Sequence, residues 1–473
     1  MTLPKINPDT TYDLTVIGAG SAGFSAAITA AEQGAKVALV GYGTIGGTCV
    51  NVGCVPSKTL IRAAETIHQA NTANRFDGVE AKGQLNNWRD IIAQKDALVS
   101  ELRQAKYLDL LPQYSNVTYI EGPARFTEDG LTVNGTPLKT GKIIIATGSR
   151  PTMPDIPGMT DIPYLTSTTT FELEQLPRSV MVIGGGYIGC EIAQMLSRVG
   201  VDVSIITRSR LISEAEPEIS EALTTYLRDE GIRIYDGLSY QKIAQSPSGI
   251  TLDILVGGAP TAISADQVLL TTGRQPNTDG LDLAAAGIAT SPRGGIVIDE
   301  HMRTSRDNIF AAGDVTDGDQ FVYMAAYGAK IAAQNAFEGT NHCYDNKAMP
   351  AVVFTDPQVA SVGLTEATAK AAGHTTVTSV LPLSYVPRAL AARDLRGLIK
   401  LVADADSKKL LGAQILAPEG ADCIQTAALA IHKDMTYTEL GDMIFPYLTT
   451  VEGLKLAAQT FEKDVAKLSC CAG

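Results

Sequence analysis

Two glycine-rich turns, each set between a short apolar strand and a small-residue helix, constrain the fold of this 473-residue chain more than any other feature. The first follows the strand Tyr12-Asp13-Leu14-Thr15-Val16-Ile17 and reads Gly18-x-Gly20-x-x-Gly23; a helix is expected through Gln33 and a second strand over 36–40. The second follows a strand at 179–183, reads Gly184-x-Gly186-x-x-Gly189, and leads through a helix over 191–199 to a strand at 202–207. Each is a βαβ unit whose glycines permit a tight turn, close approach of a pyrophosphate to backbone N–H groups, and tight helix–strand packing. Two such units predict two bound dinucleotides in one α/β chain.

The residues after each second strand differentiate the two sites. An NADH site places an acid there for the ribose 2′-hydroxyl, but the second unit has Thr207 followed by Arg208 and Arg210. Those cations suit a 2′-phosphate and hence NADPH, with plain solvation of a surface turn as the alternative. In the first unit the acid is also missing, since Gly41 and Tyr42 follow Val40. Either backbone or other side-chain contacts replace that ribose anchor or flavin binding is looser than usual, and Gly41→Glu is expected to tighten it. Two further strands end in small-residue turns, at 143–151 (with Thr147, Gly148 and Ser149) and at 308–314. There Asp314 can accept a hydrogen bond from a polyhydroxyl chain such as a flavin's ribityl, or cap a helix.

Between these elements lies Gly46-Gly47-Thr48-Cys49-Val50-Asn51-Val52-Gly53-Cys54-Val55-Pro56-Ser57-Lys58. A disulfide needs Cα atoms about 4.4–6.8 Å apart, so the segment must bend before a helix settles; Gly53 permits the bend and Pro56 suits a first helical turn. Thiols at a helix N-terminus favour the thiolate, and with it exchange and soft-metal capture. The pair is therefore a candidate two-electron store. The net charge of −13 argues against nucleic acid or an anionic membrane as partner, and no stretch approaches the ~18 apolar residues of a membrane span. No secretory signal is read before Tyr12, and seven cysteines, an odd number, make a poor disulfide framework; a reducing cytoplasm is expected. Cys190, Cys343 and Cys423 are read as small buried hydrophobes.

With GGTCVNVGCVPSK, ATGSRP, GGGYIGCE, TTGRQPN and IFAAGDV in order, the chain resembles the pyridine nucleotide–disulfide oxidoreductases of the glutathione reductase and dihydrolipoamide dehydrogenase type, and most closely their mercuric ion reductase branch. The resemblance implies an α/β fold with two Rossmann-like domains, for FAD and NADPH, and a C-terminal α+β domain that forms a homodimer with shared active sites. The expected segments are 1–150 and 280–348 for FAD, 151–279 for NADPH and 349–473 for dimerisation. Carried over by position, Cys54 is the thiol against the flavin, Cys49 the outer thiol, Lys58 and Glu191 an ion pair beside the flavin, and Tyr187 the ring over the nicotinamide pocket. Gly18, Gly20, Gly23, Gly47, Thr48, Lys58, Thr147, Gly148, Ser149 and Asp314 are assigned to FAD. Gly184, Gly186, Tyr187, Gly189, Glu191, Arg208, Arg210, Gly273 and Arg274 are assigned to NADPH.

Disulfide reductases of this family protonate a leaving thiolate with a His-Pro pair ahead of a Glu. Here the stretch reads Phe445-Pro446-Tyr447-Leu448-Thr449-Thr450-Val451-Glu452, with Tyr447 where the histidine should be, and none of the five histidines lies in it. Reduction of a thiolate-bound metal needs no proton on a leaving sulfur. The chain ends in Cys470-Cys471-Ala472-Gly473, two thiols suited to taking a soft cation from other thiols. Tyr107 and Tyr447 match tyrosines at the family's mercury site, so the expected metal-contacting set is Cys49, Cys54, Tyr107, Tyr447, Cys470 and Cys471. The resemblance thus implies Hg(II), free or thiol-bound, as substrate. The rivals are a large thioredoxin reductase or other disulfide reductase, and, from another class, a non-catalytic metal-sequestering or redox-sensing flavoprotein. No N-terminal metal-binding domain is read ahead of the first unit.

Overall fold

The computed structural model describes residues 9–247, 249–337 and 339–467; Cys470 and Cys471 lie outside them. By contacts the chain forms two compact units. The first takes the described residues of Met1–Thr59, Arg89–Thr152 and Gly273–Asp345, and the second Leu60–Trp88, Met153–Thr272 and the described residues of Asn346–Gly473.

In the first unit, β1 (Thr11–Ile17) lies between β2 (Val37–Gly41) and β6 (Thr136–Ile145), all parallel, with β3 (Val117–Glu121) outside β2. The strand Ile309–Ala311 runs parallel to β6 on its far side. Ile143–Ile145 is therefore covered on both edges and both faces, which is why this strand is continuously apolar. The hairpin β4 (Ala124–Thr127) and β5 (Gly130–Val133) extends β6 in antiparallel fashion. Helix α1 (Ser21–Glu32) packs against the helix Val322–Phe337 through alanines, among them Ala22, Ala26, Ala329 and Ala332, whose small side chains let the backbones approach closely enough for Ser25 Oγ to donate to the Ala326 carbonyl at 2.7 Å.

The second unit repeats the pattern: β7 (Ser179–Ile183) is flanked by the parallel strands β8 (Asp202–Ile206) and Gln267–Leu270, with helix α5 (Tyr187–Arg198) following the second glycine turn. That helix begins at Tyr187 rather than at 191. A three-stranded antiparallel meander covers Leu238–Ser246, Gly249–Val256 and Ala259–Ala265. The C-terminal segment builds an antiparallel five-stranded sheet in the order Pro350–Val353, Gln358–Gly363, Leu410–Ala417, Leu398–Asp404, Thr376–Pro382. Ile399, Leu401 and Ile415 of this sheet pack with Ile424 and Ile431 of the helix Gly420–His432.

One cysteine departs from expectation. Cys190 and Cys423 are buried, but Cys343 is exposed, on a loop rather than in a core. Its Sγ approaches Nδ1 of His301 at 3.7 Å, while Glu300 approaches Nε2 of the same ring at 3.6 Å. The thiol and the carboxylate thus address opposite ring nitrogens, and Nδ1 is already shared with the His342 carbonyl at 3.2 Å.

Candidate active site

The thiol pair is held by two consecutive helices, and both cysteines belong to the first unit. Gly46, at φ +100, and Gly47 turn the chain into the short helix α2 (Gly47–Asn51), which carries Cys49; Cys54 opens α3 (Cys54–Asn71). Asn51 Nδ2 donates to the carbonyls of Ile45 and Gly47, and its Oδ1 accepts from Arg103, so the turn is tied at both ends. Gly53 between the helices is a matter of space, not of dihedral angle: a Cβ there would sit 2.9 Å from the Thr48 carbonyl oxygen.

Cys49 is half-buried and Cys54 exposed, and their thiols are hydrogen-bonded. That hydrogen bond raises the Cys49 pKa, and burial and the proximity of Cys54 raise it further; the Cys54 backbone N–H and the Lys58 cation act in the opposite direction. Lys58, one helical turn beyond Cys54, is thus the nearby positive charge that favours a thiolate on Cys49. Tyr107 faces the same pair. It lies not in a regular helix but in a π-turn, Gln104–Leu108, that follows helix α4 (Trp88–Arg103). Its ring meets Phe24 edge-on at 4.8 Å, and its hydroxyl hydrogen-bonds Ser21. Burial raises its pKa, Ser21 opposes this, and charge on Cys49 or Cys54 raises it again, so the phenol stays protonated beside the thiols. Ser21, Phe24 and Asn51 were not legible as site residues; only their contacts reveal them.

Strands Ser149–Pro151 and Arg274–Pro276 pair antiparallel and gather a polar cluster. Ser149 Oγ donates to Asp314 at 2.7 Å and accepts from Arg274 Nε at 2.7 Å, and Arg274 lies 3.6 Å from the Asp314 carboxylate. Thr147 donates to the Asn277 carbonyl, and the Asn277 amide returns a bond to the Thr147 carbonyl. Gly273 and Arg274, expected with NADPH, therefore sit in the first unit, with Thr147, Gly148, Ser149 and Asp314 of the flavin set.

In the second unit Tyr187 is half-buried at the start of α5, its hydroxyl hydrogen-bonded to Ser361. Glu191 is buried and accepts the Phe354 N–H at 2.8 Å. Arg208 and Arg210 are both exposed, but Arg210 Nη2 donates to the Ser213 and Ala215 carbonyls. Tyr447 is 57% exposed, and Glu452 accepts the Leu448 N–H at 3.2 Å.

Both glycine turns fit a dinucleotide. No side chain caps the first turn of α1 or of α5, so the positive end and the first N–H groups of each helix are left to a ligand. A Cβ on Gly47 would lie 2.6 Å from Gly20 Cα, so the backbone around the first turn is close-packed, whereas beside Gly186 the space is open.

Residues 12–335 match the pyridine nucleotide-disulphide oxidoreductase family, and residues 349–458 its dimerisation domain. The chain belongs to this family. Among its relatives is the mercuric reductase of Staphylococcus aureus, 47% identical over 99% of this chain and 85% of that protein. The mercuric reductase of Streptomyces lividans is 45% identical over 98% of this chain and 99% of its own. Of solved structures, the HOCl-induced flavoprotein disulfide reductase RclA from Escherichia coli is similar at a TM-score of 0.83, with 31% identity over 95% of this chain and 99% of that one. Among the described residues, no helix is long and apolar enough to cross a membrane.

Proposed function

We propose that the chain is an NADPH-dependent flavoprotein that reduces Hg(II) to Hg(0) in mercury detoxification. The observation that carries this reading is the Cys49–Cys54 pair beside the protonated phenol of Tyr107, in a chain whose Phe445–Glu452 stretch has no histidine. The thiols bind a soft cation, and no imidazole stands where the family's disulfide reductases protonate a leaving sulfur. Similarity to mercuric reductases over nearly the whole chain supports the same substrate.

FAD, when bound at the first glycine turn, supplies the relay of two electrons from NADPH to the sulfur pair. The roles of this chain's own residues follow from their placement. Gly18, Gly20 and Gly23 with α1, and Gly184, Gly186 and Gly189 with α5, receive the two pyrophosphates; Gly47 and Thr48 border the first site. Ser149, Asp314 and Arg274 form one hydrogen-bonded cluster that fixes the Asp314 carboxylate toward a polyhydroxyl chain. Arg208 and Arg210 receive the 2′-phosphate. Lys58 stabilises negative charge at the reacting centre. Cys49 and Cys54 bind Hg(II) as thiolates, with Tyr107 and Tyr447 as the tyrosines assigned to the site. The segment division 1–150, 151–279, 280–348 and 349–473 belongs to the same reading, as do a homodimer in the cytoplasm and delivery of thiol-bound Hg(II) by Cys470 and Cys471.

Anaerobic NADPH oxidation should be compared with Hg(II), oxidised glutathione, lipoamide and thioredoxin side by side. Volatile Hg(0) with the first, and negligible turnover with the others, is expected. Turnover with a disulfide and none with Hg(II) would replace this reading with that of a disulfide reductase.

A further inference from the structure

The missing acid at Gly41 has a structural counterpart. In β2, Gly41 stands where a dinucleotide fold of this kind places the carboxylate that holds the adenosine ribose. A Cβ built on Gly41 would lie 2.4 Å from the hydroxyl of Tyr119, 2.8 Å from its Cε2 and 2.9 Å from the Cβ of Ala19. No real side chain tolerates such distances. The backbone cannot yield the space either, because β2 and β3 are in continuous parallel register from Val37↔Val117 to Gly41↔Glu121, and the Gly122 N–H donates to the Gly41 carbonyl at 2.8 Å.

Tyr119 thus fills the volume in which an acidic side chain at position 41 would begin. Its ring is partly buried against the core of the first unit. Among the described residues its hydroxyl has no hydrogen-bond partner, although most buried or half-buried hydroxyls have one. The pair reads as a reciprocal exchange: a small residue at the end of β2 and a long, hydroxyl-bearing one reaching over it from β3.

We propose that the Tyr119 hydroxyl takes the place of the missing carboxylate and hydrogen-bonds the adenosine ribose of FAD. The inference rests on the reading that the first glycine turn binds FAD. A phenol offers one donor and one acceptor where a carboxylate offers only acceptors. Burial, and then the charge of Glu121, raise its pKa above the ordinary 10.0, so it keeps its proton and can donate to or accept from a ribose hydroxyl at any physiological pH. The exchange of a charged hydrogen bond for a neutral one predicts weaker, not absent, discrimination of the ribose. It also reverses the expectation that Gly41→Glu tightens FAD: with Tyr119 present the new carboxylate has no room and must displace the ring.

The test is FAD binding by flavin-stripped protein, read by flavin fluorescence, with thermal unfolding of the same samples as a control. Tyr119→Phe keeps the ring and should weaken FAD about 3- to 10-fold, the size of one neutral hydrogen bond, without shifting the unfolding temperature of the stripped protein. Gly41→Glu alone should weaken it as well. In a Tyr119→Ala background, Gly41→Glu should restore affinity, so the two substitutions should be strongly non-additive. FAD affinity unchanged in Tyr119→Phe, or tightened by Gly41→Glu alone, overturns the assignment. If the unsubstituted protein binds no FAD, the flavoprotein reading fails instead.

Discussion

Arg208 and Arg210 look equivalent in sequence, but the structure separates them. Arg210 spends its guanidinium on the carbonyls of Ser213 and Ala215, whereas Arg208 is exposed, with no ion pair or hydrogen bond among the described residues. Arg208 therefore has the freer cation for a 2′-phosphate, and a charge-assisted hydrogen bond of that kind is worth about 1.5–3 kcal/mol. Arg208→Ala should cut the preference for NADPH over NADH, measured as the ratio of kcat/KM values, by about tenfold or more, with Arg210→Ala having the smaller effect. An equal loss from both would show that the loop bonds of Arg210 break when cofactor binds. Tyr447 is a second case. Replacing it by histidine restores a base of suitable pKa, yet Glu452, the group that would orient it, already accepts the Leu448 N–H. Tyr447→His should give only slight disulfide reductase activity and no gain in Hg(II) turnover. A large rise in mercury reduction would mean that proton transfer limits the native reaction.

At the scale of elements, the second unit contains a compact charge network that no motif announces. Arg198 at the end of α5 bonds Glu230 at 2.7 Å and Asp356 at 3.0 Å, and Arg396 bonds Asp356 at 3.0 Å and Asp394 at 2.8 Å. His68, on α3, faces this network, 3.9 Å from Glu230. Burial lowers its pKa from the ordinary 6.5, and the Arg198 and Arg396 cations lower it further against the opposing pull of Glu230 and Asp356. The unfolded chain therefore takes up this proton first as the solution is acidified. The stability that follows from a neutral His68 is present above about pH 6.5 and is lost as pH falls toward the folded value. His68→Gln should flatten the decline of the unfolding temperature between about pH 6.5 and 5. A decline as steep as in the unsubstituted protein would place its cause in other groups. The two βαβ units were legible because strand, glycine turn and helix are contiguous and follow periodicities of 2 and 3.6. Contacts between distant segments were not: neither the seating of Ile309–Ala311 beside β6, nor the filling of the space at Gly41 by Tyr119, nor the π-turn at Tyr107 leaves a local pattern. Cys343 was misjudged for a related reason, since thiol burial depends on what the fold brings over it.

For the whole molecule, the family's dimerisation domain spans 349–458, and within it Met443, Ile444, Tyr447 and Leu448 are exposed, Ile444 to 97%. Such a cluster of large apolar side chains at a protomer's surface fits burial by a second copy. On the proposed reading, that copy also brings its Cys470 and Cys471 to the Cys49–Cys54 pair. Hg(II) held by two thiols resists dissociation, so it must pass by stepwise exchange, and two adjacent thiols delivered to the site would provide a high effective concentration of attacking groups. Transfer in trans and transfer within one subunit make opposite predictions for mixed dimers. A dimer joining a Cys54→Ala subunit to a Cys470→Ala/Cys471→Ala subunit has one site with intact Cys49 and Cys54, and the only intact tail belongs to the other subunit. In trans, that site works, and the mixed dimer should show about half the turnover of the unsubstituted dimer with thiol-bound Hg(II), although both parent homodimers fail. Within one subunit, no intact pair has an intact tail, and the mixture should be as inactive as its parents. Turnover measured on isolated mixed dimers, carrying a different affinity tag on each subunit, decides between the two.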